Sequence, residues 1–176
     1  MTTEDHVILV DHEDREIGTM GKTEAHLSGR LHRAFSIFLF NAKGEMLIHQ
    51  RQSDKYHSGG LWTNACCSHP RPGETTLDAA HRRLLEEMGM KAPLKEVFAF
   101  TYRAELDNEL TEHEFDHVFV GFTNEDPRPN PEEVQDWKYV STPDLLRDIE
   151  EQPQRYTAWF RLSAEKVIDH LKHVAS

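Results

Sequence analysis

The two cysteines of this chain stand side by side, and a histidine follows them in the segment WTNACCSHP, residues 62–70. A disulfide, a metal site or a reactive thiol would each explain part of this pattern. Two adjacent cysteines do not make a disulfide framework. Cys66, Cys67 and His69 are therefore the first candidates for chemistry.

Two carboxylates form a second candidate group. Glu112 and Glu114 are two residues apart in a predicted strand, so both project from one face. Like charges in this arrangement repel unless a cation lies between them. His26, His32 and His69 could complete an octahedral site for Mn²⁺, Mg²⁺ or Zn²⁺, which should lose metal in acid. The alternative is an ordinary solvent-exposed strand face.

Residues 68–90, which include the segment TTLDAAHRRLLEEMGM, nearly match the Nudix box, G-x5-E-x7-R-E-U-x-E-E-x-G-U. The matching residues are Glu74, Arg82, Leu84, Glu86, Glu87, Gly89 and Met90. Ser68 replaces the first glycine, and Arg83 replaces a glutamate. In Nudix hydrolases the helix carboxylates hold Mg²⁺ on a diphosphate. Arg83 removes one such ligand and adds a cation, which keeps a diphosphate-binding surface and weakens hydrolysis.

The charge of the chain excludes one class of partner. A net charge of −11 argues against a nucleic-acid-binding surface. A local cationic pocket can still hold a small anion, and ordinary surface charge is the alternative for each basic residue. The candidates near the cysteine motif are Lys22, Arg51, Lys55, Arg71, Arg82 and Arg83.

Several elements in the first half would position these groups. HVILVD predicts a buried strand, AFSIFLFNAKGEMLIHQR a hairpin that turns at NAKG, and LWTNACC an extended segment. The Nudix-box segment predicts a helix that Thr75 and Asp78 begin as a capping box and Gly89 ends. Its predicted apolar stripe consists of Leu77, Ala80, Leu84 and Met88.

The second half predicts further strands and then helices. VFAFTYRAEL and EHEFDHVFVGF are strands joined near DNEL, DPRPNPEE is a loop, and DWKYVS is a last strand. Pro143 is expected at the first position of a helix. A final amphipathic helix spans residues 156–174, with a buried side of Phe160, Ala164, Val167, Ile168, Leu171 and Val174. The order predicts an α+β fold, with a mixed sheet layered between helices.

Length and composition predict one globular domain over residues 1–176, since 38% of the residues are hydrophobic. There is no run of 18 apolar residues, so we expect no membrane span. We also expect no secretory signal and a reducing, cytoplasmic location.

Four segments together identify a family. TNACCSHP, the degenerate Nudix box, FTYRAE and TEHEFDHVF resemble the type I isopentenyl-diphosphate isomerases of the Nudix superfamily. The resemblance runs from HVILVD to the final helix. It implies a Nudix-like fold and the interconversion of isopentenyl and dimethylallyl diphosphate.

The resemblance also implies residue roles. Cys67 corresponds to the catalytic cysteine, and Cys66 fills a variable position. Glu114 is both a metal ligand and an acid/base, and Tyr102 and Trp159 are active-site aromatics. The implied ligands of a tightly bound divalent metal are His26, His32, His69, Glu112 and Glu114. Glu87 lies beside a Mg²⁺ that binds with the diphosphate, and the implied anion-binding residues are Lys22, Arg51, Lys55 and Arg83.

This chemistry requires such residues because the substrate alkene is unactivated. Protonation of its terminal carbon gives a tertiary carbocation, and loss of a proton from the neighbouring CH₂ moves the double bond. Cys67 and Glu114 can supply the proton pair with Tyr102 as a relay, and Trp159 can stabilise the cation. No flavin or nicotinamide is required.

Two other functions remain open from the residues. A Nudix diphosphohydrolase would need an intact carboxylate helix, which Arg83 contradicts, and it would leave His26, His32 and Cys67 without a role. A non-catalytic Nudix-like binding module would not need Cys67 opposite Glu114. Oligomeric state is not readable from the sequence.

Overall fold

A computed structural model describes residues 5–55 and 57–175, with side chains described to residue 172. The strands are β1 (His6–Val10), β2 (Glu16–Gly21), β3 (His32–Phe40), β4 (Glu45–Arg51), β5 (Trp62–Thr63), β6 (Cys66–Ser68), β7 (Lys95–Glu105), β8 (Thr111–Phe122) and β9 (Val134–Ser141). The helices are α1 (Lys22–Ser28), α2 (Thr76–Met88), α3 (Thr142–Glu151) and α4 (Ala158–Ala175), with a short 3-10 turn at Pro153–Arg155.

Strand β3 organises a mixed sheet. It runs parallel to β8, with His32 opposite Glu114 at one end and Phe40 opposite Phe122 at the other. On its other side it is antiparallel to β6, where Ser36 pairs with Cys67. The cysteine motif and the paired glutamates, far apart in sequence, are therefore neighbours of one strand.

Helices cover both faces of this sheet. Phe35, Ile37 and Leu39 of β3 pack in a core with the buried side of α2. Phe38 and Phe40, which point to the other face, pack with α3 and α4. This alternation follows from the two-residue period of a strand. The predicted α+β fold with a mixed sheet layered between helices is confirmed.

Helix α2 begins and ends as predicted. The Thr75 hydroxyl accepts a hydrogen bond from the Asp78 amide at 3.1 Å, and Gly89 ends the helix in the left-handed region at φ 62°. The predicted stripe is wrong at Leu77, which is 43% exposed. The stripe is confirmed at Ala80, Leu84 and Met88, and Ala79 is buried at this end in place of Leu77.

The predicted hairpin is right at its turn and wrong beyond it. The Asn41 amide donates to the Glu45 carbonyl at 3.0 Å, but β3 and β4 pair only at Phe40 and Met46. The two strands then separate because β3 pairs with β8 and β4 pairs with β9. This divergence opens the sheet where the cysteine motif enters it.

The two last helices also match the prediction closely. Pro143 is the second residue of α3 and not the first, since Ser141 caps the helix and Thr142 begins it. Four predicted residues of α4 are buried, and Leu171 is partly buried; the four are Phe160, Ala164, Val167 and Ile168. The Val174 side chain lies outside the described part of the structure.

Among the described residues, no helix is both long and apolar enough to cross a membrane.

Candidate active site

Two buried histidines are oriented by nearby backbone carbonyls. His26 lies in α1, and its Nδ1 is 2.8 Å from the Lys22 carbonyl oxygen. His32 is the first residue of β3, which begins two residues before the predicted start at Ala34, and its Nδ1 is 2.9 Å from the Arg30 carbonyl oxygen. A carbonyl oxygen can only accept, so both rings carry their proton on Nδ1. In the neutral form of each ring, Nε2 keeps a lone pair that can bind a cation.

Glu114 draws these histidines into one cluster. Its Oε2 lies 3.1 Å from Nε2 of His32 and 2.8 Å from Nε2 of His69. The ligating atoms of His26, His32, His69 and Glu114 all lie within 4.8 Å of one another. Three imidazoles and a carboxylate in this arrangement fit a divalent cation such as Zn²⁺ or Mn²⁺.

The protonation states of this cluster suit metal binding. Burial lowers the pKa of His69 to about 4 and also lowers the pKa of His26, so both rings are neutral at pH 7. Burial alone would raise the pKa of Glu114. The charges and hydrogen bonds that His69 and His32 supply when protonated nevertheless hold the pKa of Glu114 well below its usual range. Neutral imidazoles beside an ionised carboxylate are the forms in which these groups bind metals.

Tyr102 links the two carboxylates. It lies in β7 directly opposite Glu114. Its hydroxyl contacts Glu112 and lies 2.7 Å from Oε1 of Glu114. Burial and the charge of Glu114 raise the pKa of Glu112 well above its usual range. A protonated Glu112 can donate to Tyr102, which in turn donates to Glu114, and a bound cation would favour the ionised form of Glu112.

Cys67 lies on β6 in a polar pocket. Its sulfur is 3.0 Å from Oδ1 of Asn64 and 3.5 Å from Oγ of Ser36. Ser36 donates to Asp116 at 2.7 Å. Burial and the nearby Asp116 raise the pKa of the Cys67 thiol well above its usual value. The thiol therefore holds its proton at neutral pH, the state required of a proton donor.

Cys66 and Cys67 point to opposite faces because they are neighbours in a strand. Cys66 is fully buried in the core beneath α2, where its thiol donates to Oε2 of Glu87 at 3.0 Å. The other oxygen of Glu87 accepts from Arg83, and Arg83 also pairs with Glu86 at 2.6 Å. Both cysteines are free thiols, so the two adjacent residues contact different parts of the site.

A cavity joins these groups. Cys67, His69, Tyr102, Glu112 and Glu114 line one part of it. The basic residues predicted to bind a diphosphate line another part, together with Glu87 and Trp159; they are Lys22, Arg51, Lys55 and Arg83. The cavity thus places a protonated thiol and an ionised carboxylate beside a group of cations.

The walls of this cavity carry hydrogen-bond donors suited to an anion. Nε of Arg51, Nε of Arg83 and Nε1 of Trp159 are buried and have no hydrogen-bond partner among the described residues. The Arg51 guanidinium lies 5.3 Å from the centre of a Trp159 ring. Buried polar groups are normally satisfied in proteins, so such donors indicate a place for a polar ligand.

Two of the basic candidates lie elsewhere. Arg82 makes two hydrogen bonds to Glu74, at 2.8 and 2.9 Å, and thereby ties the loop before α2 to the helix. Arg71 is paired with Asp5 at 3.5 Å on the surface. Neither of them lines the cavity. For these two residues ordinary structural charge was the correct alternative.

Known proteins resemble this chain along nearly its whole length. Residues 30–160 match the model of the NUDIX domain family. An "Isopentenyl-diphosphate Delta-isomerase" of Pectobacterium atrosepticum is 49% identical, over 93% of this chain and 92% of that protein. An "Isopentenyl-diphosphate Delta-isomerase 1" of Aromatoleum aromaticum is 53% identical, over 94% of this chain and 93% of that protein.

The chain belongs to the isopentenyl-diphosphate Delta-isomerase family. Solved structures of more distant proteins agree with it in fold. Protein DR0079 of Deinococcus radiodurans has a TM-score of 0.78 at 18% identity. The match covers 92% of this chain and 98% of that protein's chain. A MutT protein of Methanosarcina mazei has a TM-score of 0.67 at 19% identity, with coverages of 81% and 96%.

The cavity also contains residues that the sequence did not assign to the site. His57, Ser68 and Glu133 line the same cavity as Cys67. Glu133 pairs with Lys55 at 2.6 Å. His57 stands in the segment KYHSGG, outside the four segments that carry the resemblance. A single histidine in a loop does not by itself point to a site, so only the folded chain reveals it.

Proposed function

We propose that this cavity interconverts isopentenyl and dimethylallyl diphosphate, as the family implies. The observation that carries the proposal is that one cavity holds a thiol kept protonated, a carboxylate kept ionised and four cationic side chains. One proton is added to the terminal alkene carbon and one is removed from the neighbouring CH₂. The atoms therefore balance, and no redox partner is needed.

Cys67 and Glu114 are the proposed proton-exchanging pair. Since Asn64 and Ser36 flank the Cys67 sulfur at 3.0 and 3.5 Å, the thiol is held in one place. Tyr102 keeps Glu114 in position with a hydrogen bond of 2.7 Å and can pass a proton to it. General acid and base groups placed in this way commonly contribute about 10² to 10⁴ in rate.

Trp159 is proposed to stabilise the carbocation. It is 3% exposed and lines the cavity with Cys67 and Tyr102. The π face of a tryptophan attracts positive charge by about 2 kcal/mol or more where water is excluded. Arg51 near this ring would be drawn to the diphosphate once the substrate binds, which leaves the face to the hydrocarbon.

The diphosphate is proposed to bind to Lys22, Arg51, Lys55 and Arg83, which line the same cavity. His26, His32, His69, Glu112 and Glu114 would hold one divalent cation, and Glu87 would contact a Mg²⁺ that arrives with the substrate. When bound, the first cation favours the ionised carboxylates and the second neutralises diphosphate oxygens. Anchoring the charged end positions the short hydrocarbon between Cys67 and Glu114.

The alternative function is diphosphate hydrolysis. The Nudix hydrolases use helix carboxylates, and one of these positions is Arg83, which forms ion pairs with Glu86 and Glu87. An arginine in this place binds phosphate oxygens but cannot hold a metal. The helix therefore favours binding of a diphosphate over its cleavage.

One assay separates the candidate functions. The full chain is incubated with isopentenyl diphosphate and Mg²⁺, and the products are identified. We expect dimethylallyl diphosphate. Release of phosphate would support the hydrolase, and no product at all would support a binding module.

Because the chemistry needs the Cys67 thiol, and both cysteines are free, we propose a reducing, cytoplasmic setting for the reaction.

A further inference from the structure

Asn64 is a buried amide next to the proposed proton donor. It lies in the connection between β5 and β6 and is 0% exposed. Its side-chain nitrogen is 2.8 Å from the Ile37 carbonyl oxygen and 3.0 Å from the Cys66 carbonyl oxygen. Carbonyl oxygens only accept hydrogen bonds, so both amide hydrogens of Asn64 are used and the amide can take only one orientation. Its oxygen, Oδ1, therefore faces Cys67.

Two donors share this amide oxygen. The Thr63 hydroxyl lies 2.9 Å from Oδ1 of Asn64, and the Cys67 sulfur lies 3.0 Å from it. Because Oδ1 carries no hydrogen, both neighbours must donate to it. The S–H bond of Cys67 is thus directed at Asn64 before any substrate binds, and not at the Ser36 hydroxyl, which is 3.5 Å from the sulfur.

The same count of donors and acceptors extends to helix α4. The Thr63 hydroxyl has given its hydrogen to Asn64, so Thr157 must donate to Thr63, at 3.0 Å. The Thr157 hydroxyl in turn accepts a hydrogen bond from the Phe160 amide at 3.3 Å and so caps the helix. Trp159 lies in this first turn. Two hydroxyls therefore connect Asn64 to the helix that carries the proposed cation-stabilising ring.

The backbone holds the two ends of this chain of hydrogen bonds together. The Thr157 amide donates to the Trp62 carbonyl at 3.0 Å, and Trp62 also forms a parallel bridge with Tyr156. Thr63 and Thr157 are both 0% exposed, as Asn64 is. A buried polar network whose members are all hydrogen-bonded makes its surroundings rigid. The direction of the thiol is thus set by groups that bulk water does not reach.

We infer that Asn64 is a positioning residue for proton transfer by Cys67, and that Thr63 and Thr157 fix it relative to Trp159. The proton that leaves the sulfur and the ring that meets the resulting cation are then held by one network. Delivery requires rotation about a single bond, Cβ–Sγ of Cys67. The S–H bond breaks and leaves its electron pair on sulfur, while the alkene electrons form the new C–H bond. The inference rests on the proposed function, in which Cys67 exchanges a proton with the substrate.

A purely structural role for Asn64 predicts a different result. If Asn64 only joined the Ile37 and Cys66 carbonyls, its loss would destabilise the fold and leave the S–H bond as it is. If it positions the thiol, its loss should change the S–H bond and lower kcat. The KM for isopentenyl diphosphate should then stay near the wild-type value, because the cationic side chains of the cavity lie on other elements.

The direct test is infrared spectroscopy of the full chain without substrate. The S–H stretching band is separate from other protein bands, and it moves to lower wavenumber when the thiol donates a hydrogen bond. Cys66→Ala is the background, so that only Cys67 contributes. In this background we expect Asn64→Ala to move the band to higher wavenumber and to lower kcat roughly 10- to 100-fold. Asn41→Ala is the matched control, because Asn41 accepts two hydrogen bonds in the turn after β3, outside the cavity.

Thr63 provides a second test that keeps Asn64 in place should Asn64→Ala fold poorly. Thr63→Ser keeps the hydroxyl that donates to Asn64, whereas Thr63→Val removes it. We expect kcat to fall in Thr63→Val and to stay near the wild-type value in Thr63→Ser, with a similar KM in both.

Each result decides for or against the inference. An unmoved S–H band in folded Asn64→Ala would overturn it, and so would equal kcat in Thr63→Val and Thr63→Ser. The band is recorded without turnover, so it also separates this inference from the function. A chain whose band responds to Asn64→Ala but which forms no dimethylallyl diphosphate would refute the function and leave the hydrogen bond from Cys67 to Asn64 established.

Discussion

The thiol of Cys66 lies 3.0 Å from Oε2 of Glu87 and donates a hydrogen bond to it. Arg83 occupies the other oxygen of the same carboxylate. Glu87 is therefore oriented from β6 as well as from its own helix. Cys66, which the resemblance placed at a variable position, has a definite partner in this chain.

The two adjacent cysteines should differ sharply when each is replaced. Cys67→Ala removes the proposed proton donor, so kcat should fall at least about 100-fold. Cys66→Ala leaves the chemistry intact and only loosens Glu87, so most of kcat should remain while the Mg²⁺ requirement rises. Steady-state assays across a Mg²⁺ series test both variants. Equal losses of kcat would mean that the cysteine motif has been assigned in the wrong register.

Restoring the Nudix consensus should not produce a hydrolase. Arg83→Glu replaces a cation by an anion beside Glu86 and Glu87, so the KM for isopentenyl diphosphate should rise strongly. Phosphate release should stay near background. Arg71→Glu, on the surface and outside the cavity, is a charge-matched control. Rapid phosphate release by Arg83→Glu would refute our interpretation of the altered box.

The two proposed metal positions should respond differently to mutation. His26→Ala or Glu112→Gln should lower the metal content of the purified protein, because both residues belong to the histidine-rich ligand sets. Glu87→Gln should leave that content near normal and raise the Mg²⁺ needed for turnover, since Mg²⁺ binds mainly through substrate phosphates. Elemental analysis combined with Mg²⁺ titration distinguishes them. The reverse pattern would show that the two positions have been exchanged.

His49 should make the protein less stable in acid. Its ring is buried, and burial lowers its pKa to about 4 from an unfolded value of about 6.5. Between these pH values the unfolded chain binds a proton that the folded chain does not. The free energy of unfolding should therefore fall as pH drops from about 6.5 to about 4, by up to about 3 kcal/mol.

Denaturant unfolding of the metal-free protein between pH 4 and 7 measures this effect. His49→Gln cannot titrate in this range and should show a shallower dependence on pH than the wild type. His81→Gln, at an exposed position, should behave like the wild type. An identical slope for His49→Gln would show that His49 is protonated in the folded state.

Gly89 should tolerate no side chain. A Cβ atom there would lie 2.4 Å from the Arg128 carbonyl oxygen, and its φ is 62°. Gly89→Ala should therefore destabilise the fold by more than the roughly 1 kcal/mol expected from backbone strain alone. Gly73, with φ 84° and no neighbour within 4 Å of the added atom, is the control for strain. Thermal melts of both variants make the comparison, and equal losses would contradict the steric argument.

Much of the site could be predicted because its motifs are local. Glu112 and Glu114 share a strand face by period alone, and the α2 residues follow from the spacing of the Nudix box. The contacts that could not be predicted join segments distant in sequence. Which arginines face the cavity is one example: Arg51 does and Arg71 does not, although both lie near the cysteine motif. Arg51 is the last residue of β4, whereas Arg71 lies in the loop between β6 and α2.

Both proposed proton-exchanging residues depend on β3 for their position. Cys67 is opposite Ser36, 31 residues away in sequence, and Glu114 is opposite His32, 82 residues away. Contacts between such distant segments form late, because chain closure must precede them. The metal ligands supplied by β8 can assemble only after this parallel pairing. Acquisition of the ion by the chain therefore reports that β3 and β8 have paired.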